Sequence, residues 1–188
     1  MQFNQHLDIE GKHAFLSPSG PSWLNYDKSK LLTYFDNMRA KERGTEDHAF
    51  AALCIQRKQK IYRSHNENLA NYINDSVDLK MTPEVVLYYS GYCFGTADAI
   101  SFFNNELRIH DLKTGVTNAK IEQLEVYAAL FCLEYKVDPY SIYIELRIYQ
   151  YSEVSIYNPD PERIKWIMDT IIEFDLSLKN YMEMRTDA

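Results

Sequence analysis

The sequence contains few of the residues that mark specialised folds. Glycine and proline number six each in 188 residues, and there are three cysteines. Cys54, Cys93 and Cys132 are widely spaced and form no Cys-x-x-Cys pair, so neither a disulfide framework nor a thiolate metal site is indicated. We expect all three to be small core residues in a reducing compartment.

Long apolar runs and an excess of positive charge are also missing. No stretch approaches the roughly 18 apolar residues that span a bilayer, and the N-terminus lacks a basic start followed by an apolar run. We therefore expect no membrane partner and a cytoplasmic protein. The net charge of −7 argues against a protein that coats nucleic acid indiscriminately, but a carboxylate-lined metal site of a nucleic-acid enzyme is itself acidic.

Several catalytic motifs are missing as well. The chain has no phosphate-binding Gly-x-x-x-x-Gly-Lys loop, no Gly-x-Ser-x-Gly nucleophile turn and no His-Glu-x-x-His pair. P-loop phosphoryl transfer, serine-hydrolase chemistry and zinc-peptidase chemistry are therefore not indicated.

The residues that are present predict a packed α/β fold. Apolar types make up 46% of the chain and aromatic types 14%, so we expect a single domain over residues 1–188. After a Pro/Ser/Gly loop at 16–23, the spacing predicts one helix with Leu31, Leu32 and Phe35 on its apolar side. A second helix is predicted to restart after Gly44, with Thr45 as its N-cap, and a third to cover 66–79. The second helix is expected to bury Phe50, Leu53 and Cys54.

The pattern changes to alternating strands from Pro83 onward. Three antiparallel strands are predicted at 84–90, 93–102 and 106–113, with Asn104-Asn105 as the tight turn between the last two. A helix at 118–136, strands at 141–151 and 153–158, and a final helix from Pro161 complete the order. The final helix is expected to bury a stripe that consists of Ile164, Ile167, Met168, Ile171 and Ile172. Together these elements predict a mixed central β-sheet flanked by helices.

Polar residues at the end of the third strand are the strongest functional signal. Asp111 and Lys113 share one side of the strand because side chains alternate, and Asp98 on the neighbouring strand is expected to lie close to Asp111. Paired carboxylates suit Mg²⁺ or Mn²⁺. The lysine would orient or deprotonate the attacking water and stabilise charge on a phosphate. A solvated strand edge with an ordinary ion pair is the alternative.

Four short motifs in this order resemble the RecB-like exonuclease branch of the PD-(D/E)XK nuclease superfamily. They span a helix, two strands and a further helix: Gly44-Thr45-Glu46-Asp47-His48, Gly95-Thr96-Ala97-Asp98, Asp111-Leu112-Lys113 and Gln123-Leu124-Glu125-Val126-Tyr127. The resemblance implies a restriction-endonuclease-like core.

The resemblance also implies roles for individual residues. Asp98, Asp111 and the backbone carbonyl of Leu112 would hold the cation, Lys113 would serve the attacking water, and His48 would add a nitrogen ligand, which suits Mn²⁺ better than Mg²⁺. The alternative for His48 is a core or surface histidine.

Three further residues take supporting roles under the same resemblance. Glu84 resembles the extra acid found near the metal site of many members, and its alternative is an exposed glutamate at the start of a strand. Gln123 and Tyr127 lie one helical turn apart and would reach Lys113 or a phosphate and the nucleic-acid backbone. Their alternative is a polar edge that borders the core.

The function implied is metal-dependent hydrolysis of DNA, by an exonuclease in recombination, repair or phage and defence DNA processing. The expected setting is a bacterial or phage-infected host cell. The basic run with Arg57, Lys58, Lys60 and Arg63 would guide the phosphate backbone, or else form a solvated helix end. A homo-oligomer and a recombination partner protein are both left open. The competing function is a non-catalytic subunit that keeps the fold and binds nucleic acid or protein.

Overall fold

The computed structural model of the protein describes residues 15, 16, 18, 21–62, 66–115 and 120–186. The chain divides into two compact units, 1–43 and 44–188. The first unit contains a short 3₁₀ helix at Pro21–Asn25 and the first part of helix α1, which spans Lys28–Gln56. Its apolar contacts are mainly aromatic, since the ring of Phe15 lies 5.5 Å from Tyr34 and 5.0 Å from Phe35.

The second unit is an α/β fold built on one five-stranded mixed sheet with the strand order β1-β2-β3-β4-β5. Neighbouring strands pair antiparallel except β3 and β4, which are parallel. The elements that follow α1 are α2 (Glu67–Asp78), β1 (Thr82–Ser90), β2 (Cys93–Phe103), β3 (Glu106–Leu112), α3 (Ile121–Tyr135), β4 (Tyr143–Gln150), β5 (Glu153–Tyr157) and α4 (Pro161–Thr186).

The predicted hairpins and helices follow from local chemistry. Asn104 and Asn105 both adopt positive φ, 51° and 60°, as the tight turn between β2 and β3 requires. The side chain of Asn66 accepts hydrogen bonds from the backbone N–H groups of Asn68 and Leu69 at the start of α2, which is the usual N-cap arrangement. The expected antiparallel three-strand unit and the mixed sheet with flanking helices are confirmed.

Two apolar clusters cover the two faces of the sheet. The α3 face packs Leu87, Ala97, Ile109 and Leu146 against α3 and α4. The opposite face packs Ala99, Leu112 and Tyr149 against α1 and α2. The strands β2, β3 and β4 therefore have side chains in both apolar clusters.

The expected break at Gly44 is wrong, because α1 is continuous from Lys28 to Gln56. Gly44 is buried inside it, and Thr45 is consequently an interior residue and not an N-cap. The predicted buried face is right for Cys54 and wrong for Phe50 and Leu53, which are exposed. Ala51 and Ile55 are buried with Cys54, so the inner face of the helix is rotated from the expected one.

Helix α4 begins at Pro161 as predicted. Ile164 and Ile167 are buried and Met168 and Ile171 pack against the same cluster, while Ile172 is exposed. All three cysteines are free thiols, of which Cys54 and Cys132 are buried and Cys93 is half-buried. Of the helices in the described ranges, none combines the length and apolar character that crossing a membrane needs.

Candidate metal and nuclease site

Asp98 links β2 and β3 at the point where their regular pairing ends. The last paired residues are Ala99 and His110, and the Oδ2 atom of Asp98 accepts a hydrogen bond from the backbone N–H of Leu112 at 3.0 Å. Ala97 packs into the α3-face cluster and Ala99 into the opposite one, although residues two apart in a regular strand share a face. The alternation is therefore interrupted at Asp98, whose carboxylate reaches the last residue of β3.

His48, Glu84 and Asp98 form a cluster of potential metal ligands. One ligand atom from each lies within 4.8 Å of the other two, and Nδ1 of His48 lies 3.5 Å from Oδ2 of Asp98. Ligand atoms around one octahedral Mg²⁺ or Mn²⁺ are separated by about 3 to 4.2 Å. The cluster is slightly wider than an occupied site, so small side-chain movements would close it around a cation.

Glu84, one of the three residues of this cluster, has a strained backbone conformation. Its φ is +52°, an uncommon value for a residue with a side chain. Glu84 lies between Pro83 and Val85, which pair with Ala99 and Ala97, so it is opposite Asp98. Strain of this kind persists only where the surroundings over-determine it, and it concentrates at functional sites.

The electrostatic environment of Asp98 is unusual for a carboxyl group. Burial, followed by the nearby Asp111 carboxylate, raises the pKa of Asp98 from 3.8 to about 6. His48, the hydrogen bond from Leu112 and Lys113 oppose this rise in the pKa. The two carboxylates are thus close enough to repel each other, which a divalent cation would relieve.

Asp111, Lys113, Gln123 and Tyr127 form a connected chain of polar side chains beside this cluster. The Nζ atom of Lys113 donates to Oδ1 of Asp111 at 3.0 Å and to Oε1 of Gln123 at 3.1 Å. Nε2 of Gln123 donates to the hydroxyl of Tyr127 at 3.4 Å. The backbone N–H of Lys113 donates to the carbonyl of Tyr149 at 3.0 Å, which extends the β3–β4 pairing by one residue and fixes the base of the lysine.

Both carboxylate oxygens of Asp111 lie close to the ammonium group of Lys113. The residue is only 3% exposed, and Oδ2 is buried without a hydrogen-bond partner in the described ranges, although Nζ of Lys113 lies 2.9 Å away. A buried carboxylate that has one cationic partner is still well suited to take a divalent cation as a further partner. The donor set of one imidazole and several carboxylates fits Mn²⁺ or Mg²⁺.

Two glycines explain why the elements of the site can approach each other. A Cβ atom on Gly44 would lie 2.5 Å from Oγ1 of Thr114, directly after the Asp111–Lys113 segment. A Cβ atom on Gly95 would lie 2.9 Å from the ring of Tyr127. Gly44 therefore lets α1 pack close to the end of β3 one helical turn before His48, and Gly95 admits the Tyr127 ring.

The structure brings most of the predicted site residues together. One group consists of His48, Glu84 and Asp98. The adjoining group consists of Asp111, Lys113, Gln123 and Tyr127. Leu112 lies between the two groups. The backbone N–H of Leu112 serves Asp98, and its side chain is fully buried. Glu84 lies with the potential metal ligands, which the strand pattern alone did not specify.

The four residues of the predicted basic run do not form one group with the site. Arg57 and Lys58 lie just beyond the end of α1, which stops at Gln56. The ammonium of Lys60 is paired with Asp78 at 2.6 Å, and Arg63 lies outside the described residues. Lys58 instead lines a cavity of about 450 Å³ together with Lys80, Thr82 and Pro83. Lys80 was missed because nothing in its sequence context separates it from any other exposed lysine after a helix.

Comparisons of the chain with the profiles of known protein families, with curated proteins and with solved structures found no match. The function of the site is therefore inferred from its residues, its geometry and the resemblance of its motifs.

Proposed function

We propose that the protein is a metal-dependent nuclease that hydrolyses DNA phosphodiester bonds, and that its second unit is a restriction-endonuclease-like core. The observation that carries this proposal is the convergence of Asp98, Asp111 and Lys113 at one end of the sheet. Lys113 contacts Asp111 directly, and burial followed by the nearby Asp111 carboxylate raises the pKa of Asp98. The five-stranded mixed sheet with flanking helices is in keeping with the proposed core.

The residues suited to hold the cation are His48, Glu84, Asp98 and Asp111. A divalent cation bound by them would supply Lewis-acid stabilisation of the phosphate and make water a better nucleophile at neutral pH. The chain itself contributes Lys113, whose Nζ is held between Asp111 and Gln123. From that position it can orient or deprotonate the attacking water and offset negative charge that develops on the phosphate.

Gln123 and Tyr127 position this lysine and border the substrate. Gln123 accepts from Nζ of Lys113 and contacts the Tyr127 hydroxyl, so the lysine has a defined direction before substrate binds. Such preorganisation lowers the cost of reaching the transition state. We favour exonucleolytic cleavage because the resemblance to the RecB-like branch points to it.

The decisive experiment is cleavage of linear and closed-circular DNA by the full chain with Mn²⁺ or Mg²⁺, repeated with Asp111→Asn. We expect the wild type to degrade linear DNA and to leave circles intact, and the variant to lose activity by about 100-fold or more. Asp169→Asn is the matched control, because Asp169 is an exposed acid on α4 that pairs with Lys165. It should cleave within about twofold of the wild type.

Three outcomes would count against this proposal. Cleavage that survives Asp111→Asn would place the chemistry elsewhere, and an equal loss in Asp169→Asn would point to a general effect on the fold. The absence of cleavage with either metal would favour a binding subunit without turnover.

A further inference from the structure

An exposed aromatic pair lies on the same face of the β1–β2 hairpin as the His48–Glu84–Asp98 cluster. Val86 pairs with Thr96 and Tyr88 pairs with Phe94. Val85, Leu87 and Ala97 pack into the α3-face cluster, so Val86, Tyr88, Thr96 and Phe94 lie on the other face of these two strands. Asp98 follows Ala97 onto that face before the alternation is interrupted, and its ligand atom lies within 4.8 Å of that of Glu84. The side chains named on this other face are exposed except that of Asp98, which is partly buried.

The two rings are neighbours on the surface and are both accessible. Tyr88 is 51% exposed and Phe94 is 61% exposed, and their ring centroids lie 6.3 Å apart with an interplanar angle of 31°. The strand beneath them is held in place, because the backbone N–H of Tyr88 donates to the Glu134 side chain of α3 at 2.7 Å. Rigid exposed rings of this kind are what unpaired bases stack on.

The distance from the metal cluster matches a bound strand of nucleic acid. Four residues of β-strand separate Glu84 from Tyr88, which is about 13 Å at a rise of about 3.4 Å per residue. A stacked nucleic-acid strand advances about 3.4 Å per nucleotide. A strand with its scissile phosphate at the cluster would therefore bring a base about four nucleotides away onto the rings.

The other end of β1 is suited to phosphate. The cavity lined by Lys58, Lys80, Thr82 and Pro83 adjoins Glu84 along the strand, and neither lysine has an ion-pair partner within the described ranges. Two lysines thus lie just before the start of β1, Glu84 lies near its first residues, and Tyr88 lies toward its other end. This order complements a polyanion that carries bases, whereas an apolar protein partner would have to bury Glu84 and Asp98.

We infer that Tyr88 and Phe94 form a stacking platform for unpaired bases, so that the site takes a single strand or a frayed end of DNA. This inference rests on the proposed nuclease function and names the substrate class of that same site. An intact duplex offers no base faces to the rings, because its bases are stacked on each other. A second copy of the chain would need about 800 Å² per partner, of which this narrow strip with its two carboxylates supplies little.

The test is the binding of a fluorescein-labelled 12-nucleotide oligothymidylate and of a blunt 12-base-pair duplex, measured by anisotropy with Ca²⁺ in place of Mn²⁺. We expect Tyr88→Ala and Phe94→Ala each to weaken binding of the single strand about tenfold and to leave duplex binding within about twofold. Tyr88→Phe, which keeps the ring, should bind as the wild type does, and Tyr88→Leu, which is apolar without a ring, should not. Tyr157→Ala on β5 is the matched control, since Tyr157 is an exposed aromatic at the other edge of the sheet.

The inference is overturned if the oligothymidylate does not bind, if Tyr88→Leu binds like the wild type, or if single strand and duplex are affected equally. It is also overturned if the alanine variants change only the sedimenting mass, since the platform would then be an interface between copies. Cleavage assays on the same proteins separate the two proposals. Wild-type cleavage with unchanged single-strand affinity in the variants refutes the platform alone, whereas ring-dependent binding without cleavage under any metal refutes the nuclease alone.

Discussion

Asp98 is a proposed metal ligand whose buried carboxylate lowers the stability of the metal-free protein. Its folded-state pKa of about 6 lies above the ordinary value of 3.8, so the folded protein binds the proton more tightly than the unfolded chain does. The contribution of this bound proton to the free energy of unfolding is fully present below pH 3.8 and is lost as the pH rises through 6. At neutral pH the buried carboxylate therefore destabilises the metal-free protein.

Asp98→Asn is accordingly expected to stabilise the metal-free protein by about 3 kcal/mol at pH 8 and by little at pH 4. The amide oxygen can still accept from the N–H of Leu112, while the repulsion from Asp111 is removed. Urea denaturation in EDTA at the two pH values measures the difference. Added Mn²⁺ should raise the midpoint of the wild type far more than that of the variant.

The pH comparison and the metal comparison can fail separately. An Asp98→Asn variant that is less stable than the wild type at pH 8 would show that the carboxylate is not destabilising there. Equal stabilisation of both proteins by Mn²⁺ would place the cation away from Asp98.

The residue types and spacing were sufficient to predict which side chains meet at the site, but not how each is used. Asp111 and Lys113 share a strand and Gln123 and Tyr127 share a helix turn, so their proximity follows from local geometry. The alignment of Glu84 with His48 and Asp98 depends on a positive φ and on an interruption in β2. Neither feature has a local signature, because both result from packing between elements.

At the scale of elements, Gly44 shows how a helix and the end of a strand come together. Glycine inside a helix costs about 1 kcal/mol relative to alanine, so Gly44→Ala would ordinarily stabilise α1. Here the new Cβ would meet Oγ1 of Thr114 at 2.5 Å. We therefore expect Gly44→Ala to destabilise the wild type by about 1 to 2 kcal/mol through overpacking.

The effect of Gly44→Ala on stability should change sign when the Thr114 hydroxyl is removed. In a Thr114→Ala background the contacting hydroxyl is absent, so Gly44→Ala should be neutral or stabilising by up to about 1 kcal/mol. Thermal or urea unfolding of the four proteins in this double-mutant cycle gives the coupling energy. Additive effects would mean that the two residues do not limit the approach of α1 to the end of β3.

This contact also explains why the end of the first predicted helix was placed wrongly. A glycine that stops a helix and a glycine that makes room for a neighbour look alike in a sequence, and only the position of Thr114 distinguishes them. Phe50 and Leu53 were expected inside for a related reason, since the apolar residues around this part of α1 surround more than one face. In contrast, the Asn104-Asn105 turn was predictable because its conformation is set by the two residues themselves.

At the scale of the whole molecule, a second polar network crosses the sheet on the α2 side. Oδ2 of Asp75 accepts from the hydroxyl of Tyr149 at 2.8 Å and from Arg147 at 3.3 Å. The Tyr149 hydroxyl also lies 3.2 Å from Nδ1 of His110, whose other ring nitrogen is buried without a hydrogen-bond partner in the described part of the chain. These contacts join α2, β3 and β4.

His110 should make the protein sensitive to acid well above the pH at which most carboxylates titrate. Burial, followed by repulsion from Arg147 and Arg108, lowers the pKa of His110 from 6.5 to about 3. The unfolded chain therefore binds a proton that the folded chain does not, and the contribution of His110 to stability is lost as the pH falls from 6.5 toward 3. The loss is about 2 kcal/mol by pH 5.

His110→Phe removes the titrating group and keeps a ring beside Tyr149. The difference in free energy of unfolding between wild type and variant, measured with urea, should therefore shift by that amount between pH 7 and pH 5. Asp98 is present in both proteins, so its own pH-dependent contribution to the free energy of unfolding cancels in this comparison. A difference that does not vary with pH would show that His110 is protonated in the folded state or accessible to water.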